Sequence, residues 1–300
     1  MISPGTLGRM FVVLGACFLA TNGIFSVFYY DHGGEATSLV FLRFAGAAFG
    51  FWLLAIVRRT WRFPPGLIPV AVGLSVLQFG TAWGLMDGFA RAPVSLVILI
   101  FYLYPLIATV GAGVVLKEPL TVRKLSLLGL GVAGVALAVG VPGSAPTAGI
   151  LLGLLACFCL GTQVVAGRYV MLRYGVSAVE LLPLIWLGPT IALGAYVAVH
   201  GADFATDAVG WLSAISVITV GTFFAMMLFW TGVRRIGAGN AALLATVEPF
   251  VAVLLAVAIL DETLTALQLV GGVMILTAVL LISRHRSDAR APISRTGRSL

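Results

Sequence analysis

Stretches of apolar residues, each close to the roughly 20 that a helix needs to cross the hydrocarbon of a bilayer, recur along the whole chain. Five lie near 9–29, 38–58, 67–89, 93–115 and 121–140, and five more near 147–169, 177–199, 208–232, 237–259 and 265–283. The pattern predicts ten transmembrane helices, with connections too short to hold a soluble domain and a polar tail from Arg284 to Leu300. Composition points the same way. The chain is 60% hydrophobic and 10% charged, with a mean hydropathy of +1.10, where soluble proteins carry roughly 25% charged residues.

The second half echoes the first. Lys117-Glu118-Pro119-Leu120-Thr121 returns 144 residues later as Asp261-Glu262-Thr263-Leu264-Thr265, and the same offset lays Arg91 on Arg235, Leu99 on Leu243, Pro105 on Pro249 and Ala112 on Ala256. Cys17-Phe18 and Tyr29 recur at an offset of 140 as Cys157-Phe158 and Tyr169, so the first apolar stretch reads as a helix of the fold rather than a signal peptide. Five spans separate equivalent points, and an odd number reverses direction across the bilayer. The expected architecture is therefore an all-α integral membrane protein of ten transmembrane helices in two inverted five-helix repeats. Residues 1–140 form the first repeat and 141–283 the second, and 284–300 form a basic cytoplasmic tail.

Basic residues orient this arrangement, because cytoplasmic loops retain Lys and Arg. With both termini inside, 16 of the 18 fall on the inner side, Arg91 lies outside and Arg43 lies in the membrane. Outer segments instead hold Asp31, Glu35, Asp87, Asp203, Asp207, Asp261 and Glu262. The net charge of +7 thus expresses topology and not a nucleic-acid surface. The three cysteines, Cys17, Cys157 and Cys159, all fall in apolar spans and offer neither a disulfide framework nor a metal-ligand spacing.

Repeat architecture and the paired motifs after the fourth and ninth helices resemble the drug/metabolite transporter superfamily, and within it the ten-helix EamA-type exporters. The resemblance covers residues 9 to 283 and is closest to the aromatic amino-acid exporters. It implies a carrier of the cell inner membrane that exports small amphipathic metabolites, amino acids including aromatic ones, through a central cavity by alternating access. Export of drugs or other metabolites, and passive conduction through a channel, are the alternatives. The third, fourth, eighth and ninth helices, with parts of the first and sixth, would enclose the pathway.

Ionisable residues inside a bilayer are costly, about 2.5–3.5 kcal/mol at mid-helix on insertion scales, so each is a functional suspect. Glu248 lies within the ninth span, followed by Pro249, and its repeat equivalent is Tyr104-Pro105 in the fourth. Both halves thus break a helix at corresponding depth, a pointer to a transporter site, although prolines also bend helices for packing alone. Arg43, inside the outer end of the second span, either snorkels to the headgroups or pairs with a carboxylate, for which Glu248 is the candidate. Asp87 and Arg91, one turn apart, read as a local surface pair.

Phe79, Trp83 and Met86 recur at helical spacing on the third span with Gln78 at their border, and their equivalents are Phe223, Met227 and Trp230. Such stripes face lipid, a neighbouring helix or a ligand. As candidate substrate contacts we take Asn22, Gln78, Phe79, Trp83, Tyr102, Tyr104, Gln163, Met227 and Trp230. For the hydroxyl and amide groups among them, interhelical hydrogen bonding is the competing role. Gly129, Gly131 and Gly134, with Gly271 and Gly272, allow close helix approach, within the chain or across a dimer.

No HExxH, GxSxG or GxxxxGK[ST] motif occurs and the three histidines lie at helix ends or in loops, so neither an intramembrane hydrolase nor an ATP-driven pump has visible machinery. The expected partners are a small-molecule substrate and the lipid bilayer, with no cofactor, metal or nucleic acid, and the ten-helix chain is expected to work as a monomer.

Overall fold

The computed structural model describes residues 3–60, 63–92, 94–139, 147–260 and 265–284. Most of the second motif copy, including Asp261 and Glu262, and all of the tail beyond Arg284 lie outside these residues. Among them the regular structure is entirely helical.

The chain begins with α1 (Pro4–Asp31), α2 (Ala36–Val57) and α3 (Leu67–Arg91). Then come two short helices, α4 (Val94–Phe101) and α5 (Tyr104–Val115), followed by α6 (Val122–Val139). The second half runs through α7 (Thr147–Tyr174) and α8 (Ala178–His200) to α9 (Ala208–Ile218). A π-helical turn, Thr219–Phe224, leads into α10 (Ala225–Ile236). It closes with α11 (Ala238–Ala245), α12 (Val247–Leu260) and α13 (Ala266–Arg284). Among the described residues, seven helical stretches are long and apolar enough to cross a membrane, alongside shorter apolar helices.

Helix starts follow their sequence signals. Ser3 caps α1 by accepting from the Thr6 amide at 3.2 Å, with Pro4 in the first turn, where its missing N–H removes no bond. Ser177 and Glu180 form a capping box on α8, the Ser177 amide donating to Glu180 Oε2 at 2.7 Å. Asp207 caps α9 by accepting from the Gly210 amide at 2.9 Å.

Large apolar side chains remain on the outside of the bundle: Phe49 is 71% exposed, Val114 72% and Val199 78%. Such surface is tolerable against lipid and not against water. Inside, α3 packs along α7 and α1 along α10, α5 lies on α7 and α12 on α1, and α2 pairs with α8 and α6 with α13. The last pairing rests on glycine: a Cβ at Gly134 would sit 2.8 Å from the Gly271 carbonyl oxygen, so only a bare backbone allows this approach. These glycines join helices of one chain.

Candidate functional site

Two helix interruptions organise the interior. α4 ends at Phe101 and α5 begins at Tyr104, with Pro105 in its first turn. α11 ends at Ala245, Thr246 turns with its hydroxyl donating to the Leu243 carbonyl at 2.7 Å, and α12 starts at Val247 with Glu248 and Pro249 in its first turn. A proline there costs no hydrogen bond, because the first turn of a helix has no intrahelical acceptor for its N–H. The short helices before the breaks, α4 and α11, are each eight residues long, and their limits differ by the offset of 144 found in the sequence.

A third irregularity packs against α1 and α2. The π-helical turn between α9 and α10 widens the backbone, a feature that recurs at functional sites. Fully buried Thr222, within that turn, accepts from Arg43 Nε at 3.0 Å. Its neighbour Gly221 presents its carbonyl to Asn22 Nδ2 at 2.9 Å, and a Cβ at this glycine would collide with Asn22 Oδ1. Asn22 Oδ1 is itself buried with no hydrogen-bond partner among the described residues. Arg43 on α2 is therefore turned into the bundle rather than out to the headgroups.

Glu248, in the first turn of α12, interacts electrostatically with Tyr102 and Tyr104 at the α4–α5 break. Arg43 and Glu248 feel each other electrostatically. Among the described residues, however, no N···O separation of 4.0 Å or less joins them. Both side chains are half-buried.

Aromatic rings gather around Trp186 and at the α4–α5 break. Trp186 of α8 packs on Phe44 at 4.8 Å and Phe51 at 5.6 Å, and Phe51 stacks on Phe223 of the π turn at 5.0 Å. Trp186 Nε1 is buried without a hydrogen-bond partner among the described residues. At the other break Phe101, Tyr102 and Tyr104 form a cluster with centroids 5.5 to 6.4 Å apart.

At the end of the bundle where α2, α7 and α10 finish, Glu118 ties three segments together. Its carboxylate lies 3.2 Å from Arg168 Nε of α7 and 3.8 Å from Lys124 Nζ of α6, and its Oε1 accepts from the Ala238 amide at 3.1 Å. That amide is an unpaired donor at the N-terminus of α11, where a negative charge is favoured. Arg168 also donates to the Val233 carbonyl at 2.7 Å. All three charged side chains are at most 12% exposed.

The remaining sequence candidates fall elsewhere. Phe79 and Trp83 stack on each other at 6.0 Å, with Trp83 39% exposed, and Gln78 is half-buried on the same helix. Gln163 donates to the Leu74 carbonyl at 3.1 Å and leaves Oε1 unpartnered among the described residues. Met227 packs at the margin of the core, and Trp230 is buried against α7 at Gly167. Arg91 pairs with Asp87 at 2.9 Å across one turn. An apolar groove of about 660 Å³ between α5 and α7, lined by residues such as Leu106, Val110 and Phe158, holds none of the charged groups.

Asn22, Tyr102, Tyr104, Arg43 and Glu248 are thus drawn together, whereas the Phe79–Trp83 and Met227–Trp230 stripes are not shown in contact. Sequence reasoning does not reach Thr222, Gly221 or the packing of Phe44 and Phe51 on Trp186. It also missed the role of Glu118, whose motif had been noticed only as a mark of repetition.

Comparison with known proteins places this geometry. An uncharacterized transporter of Archaeoglobus fulgidus is 30% identical over 279 residues, spanning 93% of this chain and 97% of that protein. A solved crystal structure superposes with a TM-score of 0.81 over 92% of this chain and 98% of its own, at 17% identity, a likeness of fold alone. The profile of the EamA-like transporter family matches residues 6–140 and again 147–284, so the chain belongs to that family and is a multi-pass membrane transporter rather than an enzyme.

Proposed function

We propose that this protein is a secondary carrier that exports small amphipathic metabolites, amino acids including aromatic ones, by alternating access through a central cavity. The observation that carries the reading is the set of polar groups inside the bundle, half-buried Arg43, Asn22 and Glu248 with buried Tyr102, at or bonded to three helix irregularities. Lipid offers such groups nothing, so they are retained for a polar cargo or an ion. Flanking rings give a hydrophobic side chain its complement.

Packing supports two inverted repeats of five helices, over residues 1–140 and 141–283. Exchanging the halves turns the α3–α7 contact into α1–α10 and the α5–α7 contact into α12–α1, while α2–α8 and α6–α13 map onto themselves. A carrier built this way exposes one site to either side by exchanging the conformations of its halves. The basic-residue distribution supports a plasma-membrane orientation with both termini in the cytoplasm, which puts the Glu118 cluster at the cytoplasmic end. The internal glycine contacts are in keeping with function as a monomer.

The test is uptake and counterflow in proteoliposomes with a panel of labelled amino acids, with and without a pH gradient. Saturable flux accelerated by unlabelled substrate on the far side is expected. Non-saturable flux without counterflow would indicate a channel, and no amino-acid flux would refute the substrate reading.

A further inference from the structure

We infer that the central site is a receptor for a zwitterionic head group, in which Arg43 holds the carboxylate of the cargo and Glu248 its ammonium. This deepens the carrier reading above and rests on it.

Arg43 and Glu248 are opposite charges within the helical bundle that interact electrostatically, yet no ion pair of 4.0 Å or less joins them among the described residues. In a medium of low dielectric such charges attract strongly and would collapse into an ion pair if nothing held them apart. Here a neutral side chain on a separate element stands beside each one. Thr222, from the π turn, takes Arg43 Nε at 3.0 Å, and Tyr102, from the α4–α5 break, is the neutral neighbour of Glu248. Arg43 thereby keeps its terminal guanidinium nitrogens for another acceptor, and a two-pronged match to a carboxylate is what a guanidinium does best. Glu248 retains acceptor capacity beyond the one tyrosine, enough for an ammonium with three donors.

A buried charge that lacks its partner is strongly unfavourable, so a site of this kind is quiet only when both charges are answered. One molecule carrying a carboxylate and an ammonium a few bonds apart answers both at once. An amine alone leaves Arg43 unanswered, and an acid alone leaves Glu248 unanswered. The discrimination is thus built from unpaired buried charge rather than from pocket volume, which separates substrates only weakly.

Three probes with the same ring separate the charges: phenylalanine, phenethylamine and 3-phenylpropionate. In proteoliposomes containing the full chain, each competes against labelled phenylalanine counterflow. We expect both single-charge probes to compete at least tenfold more weakly than phenylalanine. Glu248→Gln should narrow the gap for 3-phenylpropionate selectively, and Arg43→Gln should narrow it for phenethylamine selectively.

The parent protein alone can overturn the inference, whatever the variants do: equal competition by either single-charge probe would refute it. Active variants that keep the parent ranking, or that shift it in the opposite sense, would refute the charge assignment while leaving amino-acid transport intact. Absence of phenylalanine and all other amino-acid flux in the parent would refute the carrier reading and this inference together.

Discussion

Replacing Glu118 by glutamine removes one negative charge and little volume from the point where α6, α7 and α11 meet. The carboxylate has three partners, Arg168 at 3.2 Å, Lys124 at 3.8 Å and the Ala238 amide at 3.1 Å. Glutamine retains an acceptor for the amide but leaves two cations, each at most 12% exposed, without a counter-charge. Removing one member of a buried pair costs about 3–5 kcal/mol. Since one hydrogen bond survives and the lysine contact is long, a loss of about 2–3 kcal/mol is expected.

If this end of the bundle opens during turnover, as proposed, that loss falls on the closed form and shifts the equilibrium by roughly 30- to 150-fold toward opening. Thr109 reports it, being fully buried behind the cluster with its hydroxyl 3.5 Å from the Gly239 carbonyl. With the native cysteines replaced by alanine, Thr109→Cys should react slowly with an impermeant maleimide from the cytoplasmic side, and at least tenfold faster once Glu118→Gln is added. Adding Arg168→Gln to Glu118→Gln should lower stability by less than the sum of the single losses, because the pair is removed together. Unchanged labelling beside a lowered melting temperature would make the cluster a structural clasp only, and strict additivity would refute the coupling itself.

The remaining expectations concern other parts of the fold. Gly221→Ala should drive a methyl into Asn22 Oδ1 and destabilise the protein by about 1–3 kcal/mol in thermal unfolding, with Asn22→Ala restoring part of the loss. An unaffected melting curve would show that the π turn has room to spare. Asp207 outside the membrane is held below the usual carboxylate range, first by the Gly210 amide and then by His32. Its stabilising share is therefore present above about pH 3.9 and is lost as pH falls through its lower folded value. Asp207→Asn should keep the cap yet flatten that acid-side decline, and an identical pH profile would exclude the role. Lys117→Cys and Asp261→Cys should label from opposite faces of the membrane, since equivalent points of inverted repeats emerge on opposite sides. Labelling from one face would overturn the inverted arrangement.

How far the sequence could be read depended on whether the feature was encoded locally. Helices followed from runs of apolar residues, and the breaks at Tyr102–Leu103 and Thr246 lie beside Pro105 and Pro249, residues whose backbone chemistry disfavours a continuous helix. The Glu118 motif was visible as a repeat, but its work was not, because Arg168 and Ala238 approach it from 50 and 120 residues further along the chain. Composition singles out Arg43 and Glu248, since charge in lipid is conspicuous, and leaves the direction of Arg43 open between headgroup and interior. That question is decided by Thr222, an unremarkable threonine in a stretch whose π geometry carries no sequence signature. The aromatic candidates show the same limit from the other side. Phe79 and Trp83 share a helical face by spacing and stack on each other, but which neighbour a face meets is a property of the whole bundle, and the larger ring cluster joins Phe44, Phe51, Trp186 and Phe223 from three other elements. In a protein apolar throughout, hydrophobic periodicity loses the power to separate inside from outside. The polar exceptions then carry the information, and their hydrogen-bond partners, not their spacing, assign them to a site.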